Sequence, residues 1–224
     1  MTLSRSSYQK KRINDSEILQ SDLNIEQKTR SNPLAWNGQF SPQLVELFLK
    51  KYTTKDSRVF DPFLGSGTVL LESGRQGISA IGTEINPAGV ALATLYELIN
   101  ITPTVRHNFI DSIDGLLGNT YGDLLFQNIN NEANDGRQQI LGMFQSIENL
   151  FQQRLLEVLI TLLDFSKADF SPTRVLSIWS KVKNTVLELP FSEKPIQVFH
   201  ADARSVPLPD NSVDLVITSP PYIN

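Results

Sequence analysis

The 224-residue chain has no cysteine and only two histidines and two methionines. Without a thiol there is no disulfide framework, no thiolate zinc site and no cysteine nucleophile. This sets aside small secreted domains and thiol catalysis, and makes a reducing, cytoplasmic setting the default. Long apolar runs are also missing. The longest, around Leu155 to Leu163, is broken by Glu157 and Thr161, and the N-terminal MTLSRSSYQKKRIND carries basic residues without an apolar segment behind them. Neither a membrane span nor a signal peptide is expected. Positive charge is scarce outside the first part of the chain. Residues 1–60 hold 10 Lys/Arg against 6 Asp/Glu, whereas residues 61–224 hold 10 against 18, so the head is +4 and the body −8. Phosphate neutralisation supplies most non-specific affinity for nucleic acid, so this body is not expected to grip DNA unaided.

What is present is an alternation of short apolar runs with helical periods. Residues 1–31 are polar with scattered aliphatics and are expected to form a tail. Ser41, a cap residue, precedes Pro42 at a first helical position, and Leu44, Leu47, Phe48 and Tyr52 follow at helical spacing. Arg58 to Asp61 reads as a buried strand, Thr68 to Gln76 as a helix closed by Gly77, and Ile78 to Glu84 as a second strand. Asn86 and Pro87 open a further helix. Strand, glycine turn, helix, strand, acid and helix make one βαβα unit, the opening of a Rossmann-like doubly wound α/β sheet. Residues 105–135, rich in Asn, Asp and Gly, break this alternation. Two amphipathic helices, about 137–163 and 172–189, follow before strands return at 196–199 and 213–217. The expected organisation is a tail (1–31), an α/β unit (32–104), a mainly helical insert (105–194) and a return to the sheet (195–224). With 11 acidic and 8 basic residues, the insert reads as packed helices and not as a nucleic-acid surface.

Two sites carry chemistry. Asp61-Pro62-Phe63-Leu64-Gly65-Ser66-Gly67-Thr68 leaves a strand and enters a helix, a turn whose backbone N–H groups lie open to a ligand. Glu84, 19 residues after Gly65, ends the next strand, the place from which a carboxylate reaches ribose hydroxyls. No lysine follows the glycines and no third glycine completes a pyrophosphate cradle, while an acid precedes them. A cationic nucleoside such as S-adenosylmethionine suits this turn better than a phosphate. The second site, Thr218-Ser219-Pro220-Pro221-Tyr222, follows the last strand. Its prolines lack N–H donors, so Ser219 and the neighbouring carbonyls present acceptors and Tyr222 a flat face, which suits an exocyclic amine on a stacked base.

With DPFLGSGT at 61–68, GTEINP at 82–87, HADA at 200–203, TSPPY at 218–222 and GQFSPQLVELFLKKY at 38–52, the chain resembles the amino-group DNA methyltransferases. These transfer a methyl group to N4 of cytosine or N6 of adenine. The resemblance implies that Asp61, Pro62, Phe63, Gly65, Ser66, Gly67 and Thr68 surround the methionine part of S-adenosylmethionine and that Phe40, Ser41 and Pro42 close over it. It also implies that Glu84, with Asn86, holds the ribose and that Asp202, beside Ala203, accepts from the adenine amine. Ser219, Pro220, Pro221 and Tyr222 would hold a base flipped out of double-stranded DNA. Transfer would be direct, with no metal and no covalent enzyme adduct. Within the family SPPY favours cytosine N4 over adenine N6, and the lack of cysteine removes the C5-cytosine route from this chain. His107 and His200 read as structural.

Two departures stand out: roughly 95 residues between the helix after the second motif and the third motif, and an end two residues after Tyr222. The expectation is a split enzyme of a restriction-modification type, in which a second polypeptide supplies the remaining strands and the target-recognition domain. The alternatives are an inactive fragment, a cofactor-binding scaffold and an RNA guanine-N2 methyltransferase.

Overall fold

Four parallel strands carry the architecture in the computed structural model of the chain, which describes residues 18–25, 31–34, 36, 38–127, 133–165 and 170–220. They are β1 (Arg58–Asp61), β2 (Ser79–Glu84), β3 (Ile196–His200) and β4 (Leu215–Val216), in the order β3-β2-β1-β4. Phe60 pairs with Ile81 on one side and Val216 on the other. The Rossmann-like doubly wound sheet expected from the sequence is therefore present. After β3 the chain crosses to the opposite side of β1. The carboxyl ends of β1 and β4 thus flank a topological switch point, where open α/β sheets place their ligands.

Eight helices are described. They are α1 (Gln20–Leu23), α2 (Pro42–Tyr52), α3 (Thr68–Gln76), α4 (Pro87–Thr94), α5 (Pro103–Gln127), α6 (Ala133–Ser146), α7 (Leu150–Phe165) and α8 (Pro172–Leu187), with a 3₁₀ turn at Leu95–Asn100. Several differ from the sequence expectation. Ser41 stands at the cap of α2, but its hydroxyl bonds the Gln43 side chain (2.9 Å) and caps no backbone N–H. The buried face of α2 centres on Val45 and Leu49, while Phe48 packs half-buried against the core and ring to ring (6.5 Å) with the exposed Tyr52. Residues 105–127 are helical. Arg106, Ile110, Ile113, Leu117 and Tyr121 form a buried stripe at helical spacing, which the Asn, Asp and Gly on the other face obscure. The helix expected over 137–163 is two, divided where Asn149 accepts from the amides of Phe151 (3.0 Å) and Gln152 (3.2 Å) to start α7. The last strand is only two residues long.

One buried apolar cluster runs from the sheet (Val59, Ala80, Ile196) through Leu92 and Ile99 into the inserted helices (Leu155, Leu159, Val175, Val182). The two edges of the sheet are finished differently. On β3 the amides of Ile196 and Val198 donate to the side chains of Asn100 and Glu97 (both 2.8 Å), and Glu97 also pairs with Arg154 of α7. On the other edge β4 pairs, among the described residues, with β1 alone, and Val216 is 52% exposed.

Arg106 joins α5 to α8. Its buried guanidinium donates to the carbonyls of Val186 (3.2 Å) and Leu189 (2.8 Å), at a helix end whose dipole favours a cation. Burial holds its pKa below the usual arginine value. Arg106→Ala takes the guanidinium from both carbonyls, of which Val186 O keeps the Leu189 amide (3.3 Å), and leaves a cavity; it is expected to cost about 2–4 kcal/mol of stability, read by urea unfolding. A change under half of that would show that water replaces the guanidinium.

Candidate functional site

The turn between β1 and α3 is built by sequence-local constraints. Gly65 (φ +54°) and Gly67 (φ +91°) take left-handed conformations, and a Cβ on Gly67 would lie 2.6 Å from the Tyr96 ring. Gly67 therefore serves helix packing and conformation, and it lines neither cavity described below. The amide of Leu64 donates to Thr83 O (3.0 Å) and Thr83 Oγ1 to Pro62 O (3.1 Å), tying the turn to β2. Glu84 closes it: Oε2 accepts from the Gly65 amide and Oε1 from the Asn86 amide, both at 2.8 Å. Asn86 in turn caps α4 through Ala88 N (3.0 Å). Gly89, absent from the sequence reading, makes this possible, since a Cβ there would meet Glu84 Cγ at 2.8 Å.

Asp61 ends β1 with 2% exposure. Its Oδ1 accepts from Thr218 Oγ1 (2.7 Å) and the Phe63 amide (3.0 Å), while Oδ2 has no hydrogen-bond partner among the described residues. Burial pushes its pKa up to about 6. The two hydrogen bonds oppose the rise, and the Glu84 charge adds to it. No basic side chain pairs with it among the described ion pairs.

Two chambers open here and share Phe63, Glu84 and Ile85 as a common ridge. The first, about 540 Å³, brings together Phe40, Asp61, Phe63, Gly65, Ser66, Thr68, Glu84, Asn86, Ser219 and Pro220 from the sequence-derived set. The second, about 290 Å³, is bordered by Pro62, Asp202 and Ala203. Ser41 and Pro42 begin α2 and line neither chamber. Pro221 and Tyr222 lie outside the described residues. His200 bonds Ile85 O (3.1 Å) and His107 bonds Pro103 O (2.7 Å), both backbone carbonyls.

Five residues in or beside these chambers have contacts that the sequence reading did not assign. Trp36 and Gln39 precede α2 and line the first chamber, and Ile85, 61% exposed, walls both. Thr218 bonds Asp61. Arg204 grips Asp202 through its side chain (2.6–3.1 Å) and its amide (2.9 Å), which holds the Asp202 carboxyl well below the usual carboxylate range. The position of Ile85 directly after Glu84, an apolar residue at a strand end, was one available signal. Gln39 and Thr218 stood inside quoted motifs without a role of their own, and nothing in the sequence marked Trp36 or Arg204.

A parallel sheet with a glycine turn after β1, an acid after β2 and a cleft at the β1/β4 switch point defines a Rossmann-like methyltransferase fold. Residues 2–95 match the family model described as DNA methylase, of the N6 and N4 type, and over this part the chain is similar to the amino-group DNA methyltransferases. The match begins within the stretch read as a tail. Over 58 residues the chain is 43% identical to the Type II methyltransferase M.MjaII of Methanocaldococcus jannaschii, an alignment that covers 26% of this chain. The same alignment spans 11% of that relative's length. Methyltransferases of this family take S-adenosylmethionine as methyl donor.

The residues present fit that donor. A buried carboxylate with one oxygen unengaged, at the bottom of a cleft without a paired cation, suits a ligand bearing an ammonium and a sulfonium. Among the described residues that line the first chamber there is no lysine or arginine, a lining that suits a phosphate poorly.

Proposed function

We propose that the chain is the cofactor-binding and catalytic part of a DNA methyltransferase that modifies the exocyclic amine of a flipped base, cytosine N4 before adenine N6. The observation that carries this reading is the bond from Thr218 to Asp61. It ties the strand-end loop bearing Ser219 and Pro220 to the buried carboxylate of the cofactor turn, and both open into one cleft.

Bound S-adenosylmethionine supplies an electrophilic methyl group. Asp61 would meet the positive methionine end. Glu84, each of whose oxygens accepts one backbone N–H, keeps further acceptor capacity for ribose hydroxyls. Ile85 and Phe63, both substantially exposed, offer apolar walls to the adenine in the second chamber. Asp202 can accept from the adenine amine only by sharing or opening its solvent-exposed pair with Arg204, at the modest cost usual for surface pairs. Ser219 Oγ and the Pro220 carbonyl would accept from the target amine, and Tyr222 would stack on the base. Hydrogen bonds from the amine to fixed acceptors localise its lone pair for attack on the methyl carbon. The preference for cytosine N4 is what the resemblance implies for an SPPY sequence at 219–222.

The closed β3 edge and open β4 edge bear on partners. An apolar edge that is unpaired among the described residues invites strand addition, and we place there a partner polypeptide that carries a target-recognition domain, in a restriction-modification system acting on intracellular DNA. The acidic body agrees with DNA being gripped elsewhere.

The test is methyl transfer from labelled S-adenosylmethionine to double-stranded DNA by the chain with its completing partner, followed by nucleoside analysis. N4-methylcytosine is expected, and N6-methyladenine would reverse the base assignment. Tyr222→Ala is expected to lower kcat/KM by about a hundredfold, the upper range for losing one base stack, with cofactor affinity within about twofold. Equal activity would remove Tyr222 from the base site.

A further inference from the structure

Both hydroxyls of the glycine turn are tied to the segment ahead of α2. Thr68 Oγ1 donates to Asn32 Oδ1 (3.0 Å), and Asn32 Nδ2 donates to Phe40 O (3.0 Å). Gln39 Nε2 donates to both Ser66 Oγ and Leu34 O (2.5 Å each). This strap carries Trp36 against the turn. A Cβ on Gly65 would lie 3.1 Å from Trp36 Nε1 and 3.2 Å from Cδ1, and the indole lines the first chamber.

Trp36 also meets the ring of Phe165, the last residue of α7, with centroids 5.4 Å apart and planes at 80°. Edge-to-face contact of this kind is the arrangement that ring quadrupoles favour. Phe165 is 50% exposed, so its ring adds little to the insert's own core, which is formed by Leu155, Leu156, Val158, Leu159 and Leu163. The contact is therefore directed at the strap. It is a direct link from the inserted helices to the wall of the first chamber.

We infer that Phe165 is a positioning residue for the cofactor cleft, acting through Trp36: the ring contact holds the indole against the glycine turn, so the helical insert sets one wall of the chamber that receives the methionine end of the cofactor. This rests on the reading of the cleft as an S-adenosylmethionine site. It gives the insert a role in the reaction beyond packing.

The test is titration of the full chain with S-adenosylmethionine, followed by calorimetry and by tryptophan fluorescence. The chain has two tryptophans, and Trp179 is buried and bonded to Asp114, so a fluorescence change on binding reports Trp36. Phe165→Ala is expected to raise Kd about three- to tenfold and to alter the Trp36 signal. Its unfolding midpoint should stay close to wild type, because the ring is half in solvent. Phe165→Tyr, which keeps the ring, should restore wild-type affinity, and Phe165→Ala should add nothing in a Trp36→Ala background. Equal affinity of Phe165→Ala and wild type, or the same penalty with and without Trp36, overturns the inference alone. Absence of binding by the wild-type chain overturns the reading of the cleft and this inference with it.

Discussion

Asp61→Asn is expected to raise the dissociation constant for S-adenosylmethionine about a hundredfold while making the unliganded protein more stable. The variant removes the one buried negative charge facing the cleft, and a desolvated attraction of this kind is worth about 3 kcal/mol. The asparagine oxygen can still accept from Thr218 and the Phe63 amide, so the loop and turn remain tied. The stability gain follows from the pKa. Burial raises Asp61 from 3.8 to about 6, so the folded state holds its proton more tightly than the unfolded one. That contribution to stability is fully present below about pH 4 and is lost as pH rises through 6. Above that window the ionised carboxylate costs the fold up to about 3 kcal/mol, which asparagine avoids. Urea unfolding at pH 4 and pH 7.5 measures both quantities. A loss of stability together with a loss of binding would mean that Asp61 serves the fold and not the ligand.

Glu84→Ala should weaken cofactor binding about ten- to hundredfold, for two separable reasons. The amides of Gly65 and Asn86 lose their acceptor, which loosens the turn, and the ribose loses its partner. Comparing S-adenosylmethionine with an analogue lacking ribose hydroxyls separates them. The wild-type chain should lose affinity for the analogue, whereas Glu84→Ala should bind both ligands alike. Equal discrimination by both proteins would confine Glu84 to holding the turn, and unchanged affinity would remove it from the site.

The α/β unit was legible because its signals are local. Pro42 at a helix start, Gly77 at a helix end, the β-branched second strand and Asn86 as a cap all act within a few residues. Residues 105–127 were obscured because their exposed face is rich in Asn, Asp and Gly, while the buried stripe that makes them a helix faces α8 and depends on tertiary contact. The site divides similarly. Asp61 and Glu84 stand at strand ends that periodicity locates. Trp36 approaches Gly65 across 29 positions and Phe165 across another hundred, and Thr218 reaches Asp61 only because β4 lies beside β1. No spacing rule announces such contacts. Glu84 was read as a ribose ligand; what the fold shows is that it locks the glycine turn, a role visible only from its hydrogen bonds.

The central claim is that the cleft at the β1/β4 switch point binds a cationic nucleoside through an ionised Asp61. Its most direct test is calorimetric titration of the chain with S-adenosylmethionine at pH 7.5 and pH 5. One saturable site is predicted, with affinity about tenfold lower at pH 5, where Asp61 must give up a proton to receive the ligand. Equal affinity at the two pH values, or no binding at either, would contradict the account.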